Sequence, residues 1–286
     1  MGRLDAELVR RGLARSRGEA RDLIAGGRVR VAGRPGVVKP ATDVPAAAEL
    51  IVERDGPVWV SRAAGKLRHA LALWGSASGP DGAAAGPPGS PGIPVRGRWC
   101  LDVGASTGGF TQVLLEAGAA GVTALDVGHG QLAPLLADDP RVVERSGTSV
   151  RDVTAADLDG PFDLVVADLS FISLSLVLEP LRRLVRDDGH VVALVKPQFE
   201  VGRAALARAG RRGVVSDPQA RRTALLDVLA AAESAGLHAF GLARSPVVGT
   251  EGNVEYLLWA RPDGSGRMGG SALHGAVATL TTGGAT

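Results

Sequence analysis

The chain has 286 residues and a formal net charge of +2; 45% of its residues are hydrophobic and 3% aromatic, so it can form one or two domains with largely aliphatic cores. Its single cysteine, Cys100, excludes internal disulfides and cysteine-based metal sites, and its five histidines are scattered, so we expect no metal. No apolar run approaches the ~18 residues of a membrane helix and there is no signal peptide, so we expect a cytoplasmic protein without a membrane partner.

Positive charge is concentrated at the start of the chain. Residues 1–40 contain ten basic and four acidic side chains, a net charge of +6, so the remaining residues carry a small net negative charge. A basic segment on a mildly acidic body predicts that a polyanion, such as a nucleic acid, binds the basic segment.

The basic segment itself has a helical pattern. Residues 3–25 place apolar side chains at helical spacing with arginines on the other side, which predicts two short helices interrupted at residues 12–16. Ser16 and Glu19 have the spacing of a capping box for the second helix. A turn and a β-hairpin are expected at residues 26–33, followed by a polar connection with one short strand at residues 49–53.

Residues 59–71 predict a helix that carries Lys66. Residues 75–97 consist mainly of Gly, Pro, Ala and Ser, and we expect them to form a disordered or loosely packed insertion. Only three of the 32 basic residues are lysines, namely Lys39, Lys66 and Lys196. In a chain that otherwise uses arginine, a lysine can be retained because it can lose its proton.

The central stretch is an apolar run that ends in Asp102 and leads through a glycine-rich turn, residues 104–109, into a helix. Such a turn exposes backbone N–H groups and lets a ligand approach the main chain closely. The dinucleotide fingerprint is broken at Ser106, and no P-loop lysine follows. A second strand ends in Asp126, roughly 20 residues further on, where an acid accepts hydrogen bonds from a ribose.

This pattern fits an adenosine ligand without a pyrophosphate, of which S-adenosylmethionine is the commonest. The alternative is that residues 104–109 form only a tight turn. The predicted cofactor-binding residues are Asp102, Gly104, Ala105, Ser106, Thr107, Gly108, Gly109, Phe110, Asp126, Val127 and Asp168.

The rest of the chain alternates strands and helices. Strands are expected at residues 142–144, 163–168, 190–196, 237–242 and 253–259, and a helix at residues 218–235. This order predicts an α/β fold with a doubly wound, mostly parallel sheet, which binds ligands at the carboxyl ends of its strands. We expect domains at residues 1–58 and 59–262, a disordered tail at residues 263–286, and a monomer.

Four titratable side chains, Lys66, Asp168, Lys196 and Glu255, are expected to converge beside the cofactor. Amine methylators often have an Asp/Asn-Pro-Pro-aromatic phrase after the fourth strand, whereas this chain has Asp168-Leu-Ser-Phe. A ribose hydroxyl, in contrast, needs a base to take its proton. Lysine has a solution pKa of about 10.4, and a neighbouring positive charge and burial favour its neutral form.

We therefore hypothesise that Lys196 is the general base and that the charge of Lys66 favours its neutral form. Asp168 and Glu255 would orient the two amines. The alternative is that the four side chains form a purely structural salt-bridge network.

Two groups of motifs carry a family resemblance. Residues 14–31 resemble the αL-type RNA-binding domain named for ribosomal protein S-four. The order of the four titratable residues is similar to the Lys-Asp-Lys-Glu tetrad of FtsJ-type ribose 2′-O-methyltransferases. Phrases resembling the TlyA family lie at residues 60–66, 101–111, 167–173, 194–200 and 252–256.

The resemblance implies a small α+β RNA-binding domain followed by a Rossmann-like class I methyltransferase domain. It implies S-adenosylmethionine as cofactor and a cytidine ribose of 16S and/or 23S ribosomal RNA as the methyl acceptor. The family is also called haemolysin and affects sensitivity to capreomycin-type antibiotics. The implied RNA-binding residues are Arg3, Arg11, Arg15, Ser16, Arg17, Arg21, Arg28 and Lys39.

Two other functions stay open. One is a ribosome-binding or assembly factor that keeps the fold without catalysis, and the other is a membrane-lytic protein. The segment after the third strand reads Glu144-Arg-Ser-Gly where the family often reads Glu-Arg-Thr-Asn, which leaves the adenine-side contacts open.

Overall fold

The computed structural model describes residues 2–14, 17–34, 36, 38–53, 59–75, 92–202, 213–249 and 251–282. The chain divides into two compact units, Met1–Val58 and Trp59–Thr286. Arg15 and Ser16, and with Ser16 the predicted capping box, lie outside the described residues, as does most of the predicted insertion.

The N-terminal unit contains the two predicted helices, α1 (Leu4–Arg10) and α2 (Arg17–Ala25). Its strands are β1 (Gly2–Arg3), β2 (Val29–Val31), β3 (Asp43–Val44) and β4 (Leu50–Val52). They form two antiparallel pairs, β1 with β3 and β2 with β4. Leu4 and Leu8 of α1 and Ile24 of α2 pack against the buried strand residues in one core.

The predicted hairpin at residues 26–33 is wrong in its pairing. Val29 and Val31 are buried while Arg30 between them is exposed, so β2 needs a partner with a matching buried face. That partner is β4, in which Leu50 lies opposite Val31 and Val52 opposite Val29. The strand expected within a polar connection is therefore part of the N-terminal unit.

The second unit is built on a seven-stranded sheet. Its strands are β5 (Trp99–Val103), β6 (Gly121–Asp126), β7 (Val142–Ser146), β8 (Phe162–Ala167), β9 (Val185–Val195), β10 (His238–Arg244) and β11 (Tyr256–Arg261). The spatial order is β10-β11-β9-β8-β5-β6-β7, and only β11 runs antiparallel to its neighbours. The predicted doubly wound, mostly parallel sheet is confirmed.

Helices cover both faces of this sheet. One core includes residues of α3 (Ala64–Trp74), α4 (Gly109–Glu116) and α5 (Pro134–Ala137). The other includes residues of α6 (Leu178–Leu184), α8 (Pro218–Ser234) and α9 (Gly270–Thr282), and a one-turn helix α7 (Pro197–Glu200) follows β9. Because side chains alternate along a strand, Cys100 is buried on one face and Leu101 on the other.

The sheet fixes where a ligand can bind. The chain runs from β5 outward to β6 and β7 on one side, and then returns to the other side of β5 as β8. A crevice forms at such a switch point, outside the carboxyl ends of the two central strands. Asp102 in β5 and Asp168 after β8 lie at this edge.

The expectation for the C-terminal tail is corrected, whereas that for residues 75–97 is tested only at the ends of the segment. Residues 270–282, expected to be disordered, form α9, whose Val277 is fully buried beside Leu225 and Val228 of α8. The described ends of the 75–97 segment are also packed, since Gly75 pairs with Ile93, and Ile93 and Val95 are buried.

The burial of Val277 predicts that α9 is an integral part of the fold. Val277→Asp should lower the free energy of unfolding by about 3 kcal/mol, because it places an unpaired carboxylate in an apolar core. Urea unfolding followed by circular dichroism measures this. Ala272→Asp, at an exposed position of the same helix, should change stability by less than ~0.5 kcal/mol. Equal effects of the two variants would contradict the docking of α9.

Candidate active site

A cavity of about 800 Å³ opens at the carboxyl ends of β5, β8 and β9. All four predicted catalytic residues line it. The predicted cofactor residues that line it are Asp102, Gly104, Ala105, Ser106, Gly109, Phe110 and Asp168.

The four titratable side chains form one continuous chain of ion pairs. Lys196 Nζ lies 2.7 Å from Asp168 Oδ1, and Lys66 Nζ lies 3.0 Å from Asp168 Oδ2. The same Lys66 Nζ lies 2.7 Å from Glu255 Oε2. Lys66 and Lys196 are only 7% and 6% exposed. Two buried ammonium groups are thus balanced by two carboxylates.

Four different elements bring these residues together. Asp168 follows β8, Lys196 follows β9, and Lys66 lies in the first turn of α3. Glu255 directly precedes β11, and because β11 is antiparallel, its start lies at the same edge as the ends of β8 and β9.

The carboxylates of the network keep Lys66 charged. Burial alone would lower the pKa of Lys66, but the carboxylates of Asp168 and Glu255 outweigh burial and raise it. Burial would likewise raise the pKa of Asp168, but the ammonium groups of Lys196 and Lys66 lower it. Lys66 is therefore a permanent cation at neutral pH. Lys196 shares Asp168 and donates a 3.0 Å hydrogen bond to the neutral hydroxyl of Ser170.

The glycine turn approaches the same cavity. Gly104 has a φ of +82°, and a Cβ there would lie 2.9 Å from the carbonyl oxygen of Asp168. A Cβ at Gly109 would lie 2.9 Å from Cβ of Ser61. Side chains at these two positions would push the turn away from the strand end and from the segment before α3, so glycine keeps both in place.

Asp102 lies beneath this turn with no exposure to solvent. Its Oδ2 accepts hydrogen bonds from the backbone N–H (2.9 Å) and the hydroxyl (2.7 Å) of Thr111 in α4. Among the described residues its Oδ1 has no hydrogen-bond partner. Burial raises the pKa of Asp102 to about 7.

Asp126 lies on the other side of Ser106. Its two oxygens accept 2.8 Å hydrogen bonds from the N–H groups of Ser106 and Gly128. It lines a small neighbouring depression together with Glu144 and Ser146.

Both units match known families. Residues 59–262 match the FtsJ-like methyltransferase family, and residues 2–49 match the S4 domain. The chain is 49% identical to the 16S/23S rRNA (cytidine-2′-O)-methyltransferase TlyA of Mycobacterium tuberculosis, over 96% of this chain and 95% of that protein. The chain belongs to the TlyA family of FtsJ-like methyltransferases.

Other relatives of this TlyA-family chain carry a different name. It is 32% identical to Hemolysin A of Brachyspira hyodysenteriae, over 89% of this chain and 98% of that protein. A solved structure of a hemolysin-named protein from Streptococcus thermophilus superposes with a TM-score of 0.69 at 32% identity, covering 98% of this chain and 95% of the other. Within the described part of the chain, no helix is long and apolar enough to cross a membrane.

Some predicted cofactor residues of the TlyA-family site lie outside the cavity lining. Gly108 has a φ of +93°, its N–H donates to the Ala105 carbonyl, and a Cβ there would collide with Leu136. Gly108 therefore has a structural role in the turn, and its contact with the cofactor remains a prediction. Thr107 and Val127 are exposed and border the turn and the Asp126 loop, and their contact with a cofactor stays a prediction.

Sequence reasoning assigned no role to several residues at the cavity. Ser170 holds Lys196, and Phe171 is 91% exposed with a φ of +65°. The rings of Phe171 and Phe199 lie 5.6 Å apart at the cavity. These residues fall within the phrases that resemble the family, but the sequence alone does not show which of them face the cavity.

The predicted RNA-binding residues of the N-terminal unit divide into two groups. Five are exposed, namely Arg3, Arg17, Arg21, Arg28 and Lys39. Arg11 is instead 18% exposed, and its guanidinium donates to the carbonyl oxygens of Pro45 (3.1 Å), Ala46 (3.0 Å) and Ala48. Arg11 closes a loop of its own unit, and a role for it in RNA binding remains a prediction.

Because the pKa of Asp102 is raised, the free energy of unfolding should depend on pH, and the direction of this dependence can be predicted. The carboxyl of an unfolded Asp ionises at about 3.9, so between this value and about 7 the folded protein binds more protons than the unfolded chain. The contribution of Asp102 to the free energy of unfolding therefore falls as the pH rises through this window. Asp102→Asn should gain stability relative to wild type between about pH 4 and pH 7, measured by urea unfolding without cofactor.

Asp157→Asn is the control. Hydrogen bonds from Thr154 hold the pKa of Asp157 below its usual range, so its effect on stability should not vary within this pH window. Parallel stability curves for wild type and Asp102→Asn would contradict the proposed protonation of Asp102.

Proposed function

We propose that the protein transfers the methyl group of S-adenosylmethionine to a ribose 2′-hydroxyl of ribosomal RNA, with Lys196 as general base. The observation that carries this proposal is the chain of ion pairs Lys196–Asp168–Lys66–Glu255. It lines a cavity of about 800 Å³ beside the glycine turn. The name of the M. tuberculosis relative supports a cytidine in 16S and/or 23S rRNA as the target. Such a substrate implies a cytoplasmic location.

The residues around the glycine turn fit the cofactor. Gly104 and Gly109 let the turn lie against Asp168 and Ser61 at the edge of the cavity, and the buried Asp102 Oδ1 has no partner among the described residues. An acid in this position suits a ligand that carries positive charge. Asp126 would accept hydrogen bonds from the ribose, and exposed Val127 would pack against the adenine. When bound, S-adenosylmethionine supplies an electrophilic methyl group on a sulfonium.

Lys196 is the member of the network that can act as a base. Lys66 is held protonated between Asp168 and Glu255, so its ammonium fixes both carboxylates in place. Lys196 Nζ in turn lies 2.7 Å from Asp168 Oδ1 and donates a 3.0 Å hydrogen bond to Ser170. A neutral Lys196 directed at the cavity would take the 2′-hydroxyl proton as the oxygen bonds to the methyl carbon, and the carbon–sulfur bond would break to leave a neutral thioether.

Geometry supports catalysis over a purely structural network. Four charged groups withdrawn from water are costly, and apolar side chains of similar size often stabilise a core better. Here the charges line a cavity instead of filling a packed core. Phe171 and Phe199 at the cavity offer an aromatic surface on which an unstacked base could lie.

Exposed basic residues of the N-terminal unit would contact the RNA. Arg3, Arg17, Arg21, Arg28 and Lys39 suit phosphate groups and RNA shape more than base sequence. Arg15 and Ser16 keep this proposed role from the family resemblance.

Lys196→Arg distinguishes a role of Lys196 as a base from a role of its positive charge alone. Arginine keeps the positive charge but cannot deprotonate, so methyl transfer should fall by at least ~100-fold while the affinity for S-adenosylmethionine is retained. Transfer of labelled methyl groups to separated ribosomal subunits, with mapping of the labelled ribose, measures activity, and calorimetry measures cofactor binding.

Lys39→Arg makes the same replacement at the third lysine, where a fixed positive charge is enough for a phosphate contact, and most activity should remain. Near-normal turnover of Lys196→Arg would rule out Lys196 as the base. Absence of cofactor binding by the wild type would favour the non-catalytic ribosome factor.

Replacing Asp5 tests the proposed RNA-binding surface, because the change in net charge and the loss of its contacts with arginines should affect RNA affinity in opposite directions. Its carboxylate is covered from solvent, receives two 3.1 Å hydrogen bonds from Arg3, and lies 3.6 Å from Nε of Arg21. Asp5→Asn adds one net positive charge, which alone would tighten RNA binding. We expect weaker binding, by about three- to tenfold, because both arginines lose the carboxylate that orients them.

Filter binding to ribosomal RNA at fixed salt measures the affinity, and circular dichroism shows that the unit remains folded. Asp22→Asn makes the same charge change at an exposed position of α2 and should leave binding equal or tighter. Tighter binding by Asp5→Asn would show that Asp5 does not organise the arginines.

A further inference from the structure

The general base depends on two loop segments that meet beside the cavity. Residues 168–174 follow β8 and carry Asp168 and Ser170, and residues 196–200 comprise Lys196 and the single turn of α7. Lys196 Nζ contacts Asp168 Oδ1 at 2.7 Å and Ser170 Oγ at 3.0 Å. The direction of the amine is thus set by how the first segment lies against the second.

Glu200, the last residue of α7, joins the two segments at their far end. Its Oε2 accepts a 2.6 Å hydrogen bond from the hydroxyl of Ser173, and its Oε1 accepts a 2.7 Å bond from the N–H of Leu174. Ser173 in turn accepts the N–H of Ser175 and so caps the short 3₁₀ helix Leu174–Leu176. Both carboxylate oxygens are therefore used to hold the β8 segment.

The segment between these two attachments contains a strained residue. Phe171 has a φ of +65°, a conformation that a residue with a Cβ rarely adopts, and it is almost fully exposed. A backbone of this kind persists only where its surroundings hold it. Lys196 at one end and Glu200 at the other supply that support, and both lie within one five-residue stretch.

We propose that Glu200 is a positioning residue for methyl transfer, holding Asp168 and Ser170 in the geometry that directs the Lys196 amine into the cavity. Glu200 does not line the cavity itself, so it acts through these residues and not on the substrate. The inference rests on the proposed role of Lys196 as general base.

Three variants of Glu200 and Ser170 test the proposal. Glu200→Ala removes both acceptors and should lower kcat by about 10- to 100-fold, with the KM for RNA and the affinity for S-adenosylmethionine changed less than about twofold. Glu200→Gln should restore most of kcat, since its carbonyl can accept from Leu174 and its amide can donate to the Ser173 oxygen. Placed in a Ser170→Ala background, Glu200→Ala should cause a much smaller loss than in wild type, because both act through Lys196.

Asp157 provides a matched control for loss of a loop contact. Its carboxylate also accepts one backbone N–H (2.8 Å) and one hydroxyl (2.6 Å), both from Thr154, and it lies outside the cavity lining. Asp157→Ala should therefore lower the melting temperature to a similar degree without lowering kcat. If Glu200→Ala and Asp157→Ala affect kcat equally, or if the Glu200 and Ser170 effects are additive, Glu200 is only a structural residue.

A second readout does not require activity. Because the chain has three lysines, the ¹³Cε signals of Lys39, Lys66 and Lys196 can be resolved by NMR and assigned with the variants Lys196→Arg and Lys39→Arg. In Glu200→Ala the Lys196 signal should move towards that of exposed Lys39, while the Lys66 signal stays in place. An unchanged Lys196 signal would overturn the positioning role. Absence of methyl transfer by the wild type would instead refute the proposed function, and the NMR result would still decide whether Glu200 holds Lys196.

Discussion

The carboxylate of Asp168 lies between two ammonium groups, and the rest of the catalytic unit is arranged around this shared contact. Asp168 cannot compensate both lysines alone, and the second carboxylate, Glu255, contacts Lys66 and not Lys196. The two positive and two negative charges sum to zero, and Lys66 contacts both carboxylates. Removing any inner member would leave a buried charge without its partner, which is costly in a site withdrawn from water. Lys196, the proposed base, lies at one end of this chain, where it contacts one carboxylate and not two.

This arrangement requires one reversed strand. Asp168 and Lys196 follow neighbouring parallel strands, β8 and β9, so both lie at the same edge of the sheet. Glu255 precedes its strand, and it reaches that edge only because β11 runs antiparallel to β9. A fully parallel sheet would place the start of β11 at the opposite edge, away from Lys66. The single antiparallel strand is thus what allows a residue at the beginning of a strand to join residues at the ends of two others.

Local patterns in the sequence predicted the sheet, the glycine turn and the convergence of the four charged residues, because strand ends and topology place them together. Features that depend on contacts between distant segments could not be predicted this way. The pairing of β2 with β4 is fixed by matching buried faces some twenty residues apart. The helix α9 has few large apolar residues, and its order comes from docking Val277 and from a 3.0 Å bond between Arg221 and the Thr281 carbonyl. Arg11 looks like any other arginine of a basic surface until its three carbonyl partners are seen.

The two buried lysines, Lys66 and Lys196, need different explanations for why they are lysine in a chain that otherwise uses arginine. For Lys196, the proposed role as general base would account for the choice over arginine, because arginine cannot lose its proton. For Lys66 it does not, because its carboxylate neighbours raise its pKa and keep it charged. Geometry accounts for Lys66 instead: one nitrogen atom contacts Asp168 at 3.0 Å and Glu255 at 2.7 Å. A planar guanidinium spreads its charge over three nitrogens and favours side-by-side pairing with a single carboxylate, so it would not concentrate its charge at this point between two. The chain uses arginine where a broad donor surface is useful, as around Asp5 and at Arg11, and has a lysine at the buried point where Asp168 and Glu255 share one compact charge.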